Sequence, residues 1–147
     1  MTAAGPAEIR DLTREECDAL LTRNSIGRVA FGQHDRVDIQ PISYVSDGEW
    51  IFGRTSEGTK LAALLHRPWC AFETDSVTDL FNWSSVVVRG TFSILDPVVG
   101  SLHTYQRADR LLRTLVPGAF SVEDPAPHRH IVFGIFAHEI TGRISTR

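Results

Sequence analysis

Residues 37–60 read Val37-Asp38-Ile39-Gln40-Pro41-Ile42-Ser43-Tyr44-Val45-Ser46-Asp47-Gly48-Glu49-Trp50-Ile51-Phe52-Gly53-Arg54-Thr55-Ser56-Glu57-Gly58-Thr59-Lys60. An Asp-Gly pair between two apolar runs is a strong hairpin signal, because both residues tolerate the positive φ of a tight turn. The stretch therefore predicts strands over Val37–Val45 and Glu49–Arg54 around a turn at Ser46-Asp47-Gly48. The second strand passes through small polar residues into a helix over Glu57–His66. Leu61, Leu64 and Leu65 fall on one face of that helix, and Pro68 closes it.

The strand-to-helix junction holds the chain's one lysine, Lys60; the other fourteen Lys+Arg side chains are arginine. A helix start presents free N–H groups and the positive end of a dipole to an anion. Hydroxyls from Thr55, Ser56 and Thr59, with charge from Arg54 and Lys60, complete the donor set of a phosphate pocket.

Upstream, Leu12–Leu21 reads as a helix with Thr13 as N-cap, Glu16 completing a capping box and Leu20 and Leu21 on the buried side, stopped by Asn24-Ser25-Ile26-Gly27. Arg28–Phe31 follows as a strand. Downstream, Trp69–Glu73 is a strand, then comes a polar stretch, and Trp83–Leu95 is the longest strand candidate with its Val86-Val87-Val88 run. Val98–Val116 reads as a helix between Pro97 and Pro117-Gly118, Val122–His130 as a loop and Ile131–Ile144 as a final strand. Ile131 to Phe136 is apolar at successive positions, so both faces of its sheet are covered. In a small antiparallel protein this implies a closed barrel flanked by short helices or by a second subunit.

At 147 residues the chain is expected to form one domain, residues 1–147, with a core that needs no staples. Cys17 and Cys70 form no CxxC pattern, which points to a reduced, cytoplasmic protein without zinc or disulfides. Met1-Thr2-Ala3-Ala4-Gly5-Pro6 lacks the basic and apolar regions of a leader, and no apolar run approaches the ~20 residues of a membrane span. A net charge of −3 with dispersed arginines argues against nucleic acid as a partner.

The order of these elements resembles the FMN-binding split β-barrel of the pyridoxamine 5′-phosphate oxidase-like family, especially its nitroimidazole-resistance-type branch. The resemblance is carried by Gly27-Arg28-Val29-Ala30-Phe31, Pro41-Ile42-Ser43-Tyr44, the Asp47-Gly48 turn, Ile51-Phe52 leading to Gly58-Thr59-Lys60, and Trp83-Ser84-Ser85-Val86-Val87-Val88-Arg89-Gly90. It implies a ribityl phosphate held by Gly53, Arg54, Thr55, Thr59 and Lys60. It further implies an isoalloxazine ring beside Pro41, Ile42 and Ser43, with Trp83, Ser84 and Ser85 facing it from another side, and a homodimer with flavins at the subunit interface.

The implied activity is that of an FMN-dependent oxidoreductase passing hydride or electrons from a nicotinamide nucleotide to a small acceptor. The C-terminal tryptophan- and arginine-bearing segment of true pyridoxamine 5′-phosphate oxidases is not matched by Ala137–Arg143, which favours a flavin reductase or nitroreductase over a vitamin oxidase. The resemblance also admits a deazaflavin-dependent reductase and a non-catalytic flavin- or haem-binding module. Outside this pattern, His128-x-His130 offers two imidazoles for a metal or haem, and Glu73, Asp75 and Asp79 gather carboxylates near one strand end. Ser84-Ser85 lacks a nucleophile elbow and any nearby base, which argues against hydrolase chemistry.

Overall fold

A computed structural model describes residues 5–147; the leader reading of Met1–Ala4 lies outside the described residues. The elements run β1 (Glu8–Asp11), α1 (Arg14–Arg23), β2 (Ile26–Gln33), β3 (Arg36–Ser43), β4 (Val45–Ser46), β5 (Trp50–Thr55), α2 (Thr59–His66), β6 (Trp69–Asp79), β7 (Asn82–Ile94), α3 (Leu102–Leu115) and β8 (Ile131–Thr146). The strands pair antiparallel in the order β3-β2-β6-β7-β8-β5-β4, with β1 added to β8. The two ends of that path, β3 and β4, are consecutive in sequence and separated by Tyr44 alone. The sheet is thus closed by the covalent chain, giving a split β-barrel flanked by three helices.

Tyr44 makes the closure specific. It is fully buried, its ring meets Phe72 edge-on at 4.6 Å, and its backbone N–H donates to Ser25 O at 3.0 Å. Its hydroxyl donates to Leu21 O at 2.7 Å, satisfying a carbonyl that the last turn of α1 leaves without an intrahelical partner. Helix α1 itself starts with the expected box, Thr13 accepting from Glu16 N–H and Glu16 accepting from Thr13 N–H.

Alternation along β5 and β8 separates two apolar cores. Ile51, Phe133 and Ile135 point into the barrel with Val29, Phe31, Phe72, Val86 and Val88, while Phe52 and Val132 point outward against Ala108 and Leu112 of α3. The expected double-sided cover of Ile131–Phe136 is therefore supplied by α3. The turn stands where it was read, but the hairpin is shorter: Val45 pairs with Phe52 and Ser46 with Ile51, whereas the rest of the expected first strand, as Arg36–Ser43, pairs with β2; Gly48 takes φ +90°, and Asp47 Oδ1 accepts from both Glu49 and Trp50 N–H.

Several boundaries differ from the sequence reading. The polar stretch after Glu73 is ladder: β6 runs on to Asp79 and turns at Leu80-Phe81 into β7, because Thr74, Asp75, Ser76 and Val77 find partners in Val86, Ser85, Ser84 and Trp83. The third helix starts at Leu102, where Ser101 accepts from Thr104 N–H, rather than at Val98. The exposed strand β1 gave no apolar signal in Glu8-Ile9-Arg10-Asp11 and exists by pairing with Arg143–Thr146. No helix among the described residues is long and apolar enough to cross a membrane.

Tyr44→Phe tests the closure. It removes a buried hydroxyl and orphans the Leu21 carbonyl, which costs about 1–3 kcal/mol. Urea unfolding should show that loss with an unchanged m-value; a variant as stable as the parent removes Tyr44 from its role as the latch.

Candidate functional site

Segments distant in sequence converge on a cavity of about 380 Å³: Pro41, Ile42 and Ser43 from β3, Arg54, Thr55, Ser56 and Lys60 from the β5–α2 junction, Ile26 from β2, and His128 and Arg129 from the loop before β8. The junction is placed by the fold. Strand β5 is held in register by β8 from Trp50↔Phe136 to Thr55↔Ile131, and α2 begins four residues later under Gly58. Gly58 has no side chain to cap the helix, so the N–H groups of the first turn carry no side-chain partner.

The electrostatics of the cavity are one-sided. Lys60 is half-buried in the first turn of α2, and its ammonium is pushed below the ordinary lysine pKa first by burial and second by the nearby charge of Arg129. Among the described residues neither Lys60 nor Arg129 makes an ion pair with a carboxylate. Two cations that face one cavity without a counter-charge repel each other until an anion enters.

Arg54 lines the same cavity but is already engaged. Its Nη2 donates to Asp124 Oδ1 at 2.8 Å and its Nη1 to Asp124 Oδ2, with both side chains buried. The Arg54 guanidinium thereby holds the Asp124 carboxyl well below the usual carboxylate range, helped by backbone N–H donors of Ala126 and Phe120. Arg54 therefore reaches the cavity with its guanidinium already paired, whereas Lys60 and Arg129 reach it with no carboxylate partner among the described residues.

Of the other sequence candidates, Pro41, Ile42, Ser43, Thr55 and Lys60 are brought together at the cavity. Gly53 is not: it sits opposite Phe133, whose ring would lie 2.5 Å from an added Cβ, so its smallness serves packing. Thr59 lines a separate groove with Gly32, His34, Ala62 and His66. Trp83, Ser84 and Ser85 open β7, paired with Val77, Ser76 and Asp75, and line no part of this cavity. His128 lies on the cavity wall, yet among the described residues no three His, Cys, Asp or Glu side chains converge as a metal site.

Beside the cavity, Arg28 stands opposite Pro41 and collects two carboxylates, Glu73 Oε1 at 3.1 Å and Asp75 Oδ2 at 2.9 Å. One guanidinium serving two acids leaves the pair inclined to keep a proton. Burial first, and Asp75 second, push Glu73 up to about 7, while hydrogen bonding from Glu73 draws Asp75 down. Asp79, the third carboxylate of the sequence cluster, turns away to bind Phe81 N–H and Asn82.

Sequence reasoning passed over Ile26, Arg129 and Asp124. Arg129 is one of fourteen arginines in a proline-bearing loop, with nothing local to mark it, whereas Lys60 stood out by being alone. Asp124 sits between Glu123 and Pro125, where an exposed turn is the ordinary reading.

A closed antiparallel barrel with an anion-seeking cavity where β5 hands over to α2 defines a class of small-molecule-binding split barrel. The chain belongs to the pyridoxamine 5′-phosphate oxidase family, whose model matches residues 13–144. Among solved structures it is similar to a FAD-binding protein of Mesorhizobium loti, with 21% identity, 97% of this chain and 100% of that one covered, and a TM-score of 0.76. A Corynebacterium glutamicum protein described as a candidate pyridoxamine 5′-phosphate oxidase shares 30% identity over 95% of this chain and 98% of its own, with a TM-score of 0.70. The FAD-binding protein of Mycobacterium smegmatis shares 25% identity over 92% and 98% of the two chains, with a TM-score of 0.68.

Glu73 makes stability depend on pH. Its pKa rises from the ordinary 4.5 to about 7 on folding, so the protonated form is favoured by the native state and that contribution is full below about 4.5 and lost as pH rises through about 7. Glu73→Gln cannot ionise, and its melting temperature should gain on the parent as pH goes from 4.5 to 8. A constant difference across that range contradicts the assignment.

Proposed function

We propose that the protein is a flavin-dependent oxidoreductase that takes FMN at the Lys60 cavity. The observation that carries this reading is the pair of unpartnered cations, Lys60 and Arg129, facing one cavity beside an uncapped helix start. A phosphate monoester carries close to two negative charges near neutral pH, and an ammonium, a guanidinium, the Ser56 hydroxyl and free N–H groups are the donors it needs. The FAD-binding relatives support a flavin, and the β3 end at Pro41, Ile42 and Ser43 offers an apolar wall with backbone groups for the rest of the ligand.

When bound, the flavin supplies hydride and electron transfer, from a nicotinamide nucleotide to a small planar acceptor. The protein's own work is to hold the phosphate, to shape the wall at β3 and, at the Arg28-Glu73-Asp75 cluster opposite Pro41, to keep a proton near neutral pH. The chain contains no Gly-x-Gly-x-x-Gly, so the nucleotide donor docks transiently rather than in a domain of its own.

A homodimer completes this reading. Val37, Ile39, Trp69, Val77 and Leu80 on β3, β6 and the β6–β7 turn are each more than half exposed, and so is Ile26 at the cavity. A second copy covering that face would both bury those side chains and wall the cavity at Ile26.

Three measurements test the proposal. Lys60→Ala loses a charge-assisted phosphate contact worth about 1.5–3 kcal/mol, so FMN affinity should fall roughly 10- to 150-fold with an unchanged melting temperature; equal affinity removes the phosphate from this cavity. Sedimentation should give twice the 16.4 kDa chain mass at micromolar concentration, and a monomer at that concentration contradicts the dimer. Under anaerobic mixing, NADH or NADPH should bleach the loaded protein faster than free FMN. Failure of both nucleotides leaves a flavin-binding module in place of an enzyme.

A further inference from the structure

Between α3 and β8, residues 116–130 form a loop with an internal architecture of its own. Asp124 is its centre: each carboxylate oxygen accepts one N–H from Arg54 and one from the loop backbone, Oδ2 from Phe120 and Oδ1 from Ala126, both at 2.9 Å. Phe120 is held at φ +63°, a conformation that costs a bulky residue free energy and persists only where its surroundings impose it. Its ring lies 5.1 Å from the guanidinium carbons of both Arg54 and Arg113, and Arg113 also donates to Ala119 O at 3.2 Å. Pro125 and Ala126 then close a cavity of about 160 Å³ against Leu112 and Leu115 of α3 and its C-cap Val116, and Arg129 lines both that cavity and the larger one at Lys60. The Ala126 carbonyl accepts from Arg129 N–H at 3.0 Å, so the turn that presents Arg129 starts at the residue that Asp124 pins.

We propose that Arg129 is the second phosphate-binding side chain of the cavity, and that Asp124, acting through Arg54, is the positioning residue that fixes where Arg129 stands. Arg54 is buried on β5 and cannot leave Asp124 without stranding a charge. The pair is electrically closed, so Arg54 adds no free charge to the cavity and serves as a rigid post for the loop. Arg129, exposed and without a carboxylate, is the cation that remains available. Arg129 and Asp124 are five residues apart in a segment that no regular element stabilises, so the ion pair supplies the order that a helix or strand would otherwise give.

This inference rests on the flavin-phosphate reading, and the test separates the two. FMN and riboflavin differ only in the phosphate, so the ratio of their affinities, read by flavin fluorescence quenching, isolates this end of the cavity from general folding damage. The full-length parent should prefer FMN, and Arg129→Ala should cut that preference about tenfold while leaving riboflavin affinity unchanged. Asp124→Asn should cut it by a similar factor, and adding it to Arg129→Ala should cut it no further, because a positioning residue has nothing left to position. Arg129 lies on the surface, so its variant decides the matter even if Asp124→Asn fails to fold. A preference for FMN left undiminished by Arg129→Ala overturns the inference alone. A preference that rises in Asp124→Asn, as a freed Arg54 takes up the phosphate, overturns the positioning role. A parent that binds riboflavin as tightly as FMN, or binds neither, overturns the flavin-phosphate reading and this inference together.

Discussion

The hydrogen bond from the Tyr44 hydroxyl to the last turn of α1 ties together three things that the rest of the molecule needs. It sets the point where the sheet path closes on itself between β3 and β4, it fixes α1 over the end of the barrel, and it orients the chain from Ser43 on one side of the cavity to the hairpin that leads into β5 on the other. A side chain of any other type at position 44 would leave either a void against Phe72 or an unpaired carbonyl. Asn24 extends the same joint, donating to Thr74 Oγ1 and to Asp75 O at 2.9 Å, while Thr74 donates to Ile26 O. The barrel's closure and the site's framework are thus one network.

Charge is distributed around the cavity by a division of labour among cations. Arg28 is shared by Glu73 and Asp75, Arg54 is consumed by Asp124, and Lys60 and Arg129 face the opening with no carboxylate partner among the described residues. The arginines form planar, multiply bonded pairs that hold strands and loops in place, a task for which a guanidinium is better shaped than an ammonium. The lysine stands at a helix start as a compact point charge. The family assignment over residues 13–144 and this arrangement point the same way, one from the order of elements and the other from the unbalanced charge.

How far the sequence could be read depended on whether the signal was local. The Asp47-Gly48 hairpin, the capping box of α1, the Leu61-Leu64-Leu65 face of α2 and the convergence of Pro41–Ser43 with Thr55 and Lys60 were legible because each rests on short-range chemistry or on a family order. The extension of β6 through Thr74–Asp79 was not, since polar residues on the outer face of a two-stranded ribbon look like a loop until their partners on β7 are known. Arg54 illustrates the same limit inside the site: it lines the cavity, but its partner lies 70 residues away in a segment with no periodicity. The contribution of Arg129 was invisible for the reason that Lys60 was conspicuous, namely the background composition.

The place of β8 in the sheet bears on how the protein is made. This strand bonds to β7, β5 and β1, so the middle of the barrel is synthesised only after all three of its partners. Until residues 131–146 emerge, the β2-β3-β6-β7 layer and the β4–β5 hairpin have no common partner, and α3 lacks the Val132 side of the apolar surface it covers. Synthesis therefore holds two incomplete sheets with open edges, which is the state that chaperones recognise and that edge-to-edge aggregation exploits. A chain cut off anywhere before Ile131 lacks the strand that joins β7 to β5 and so has no closed barrel.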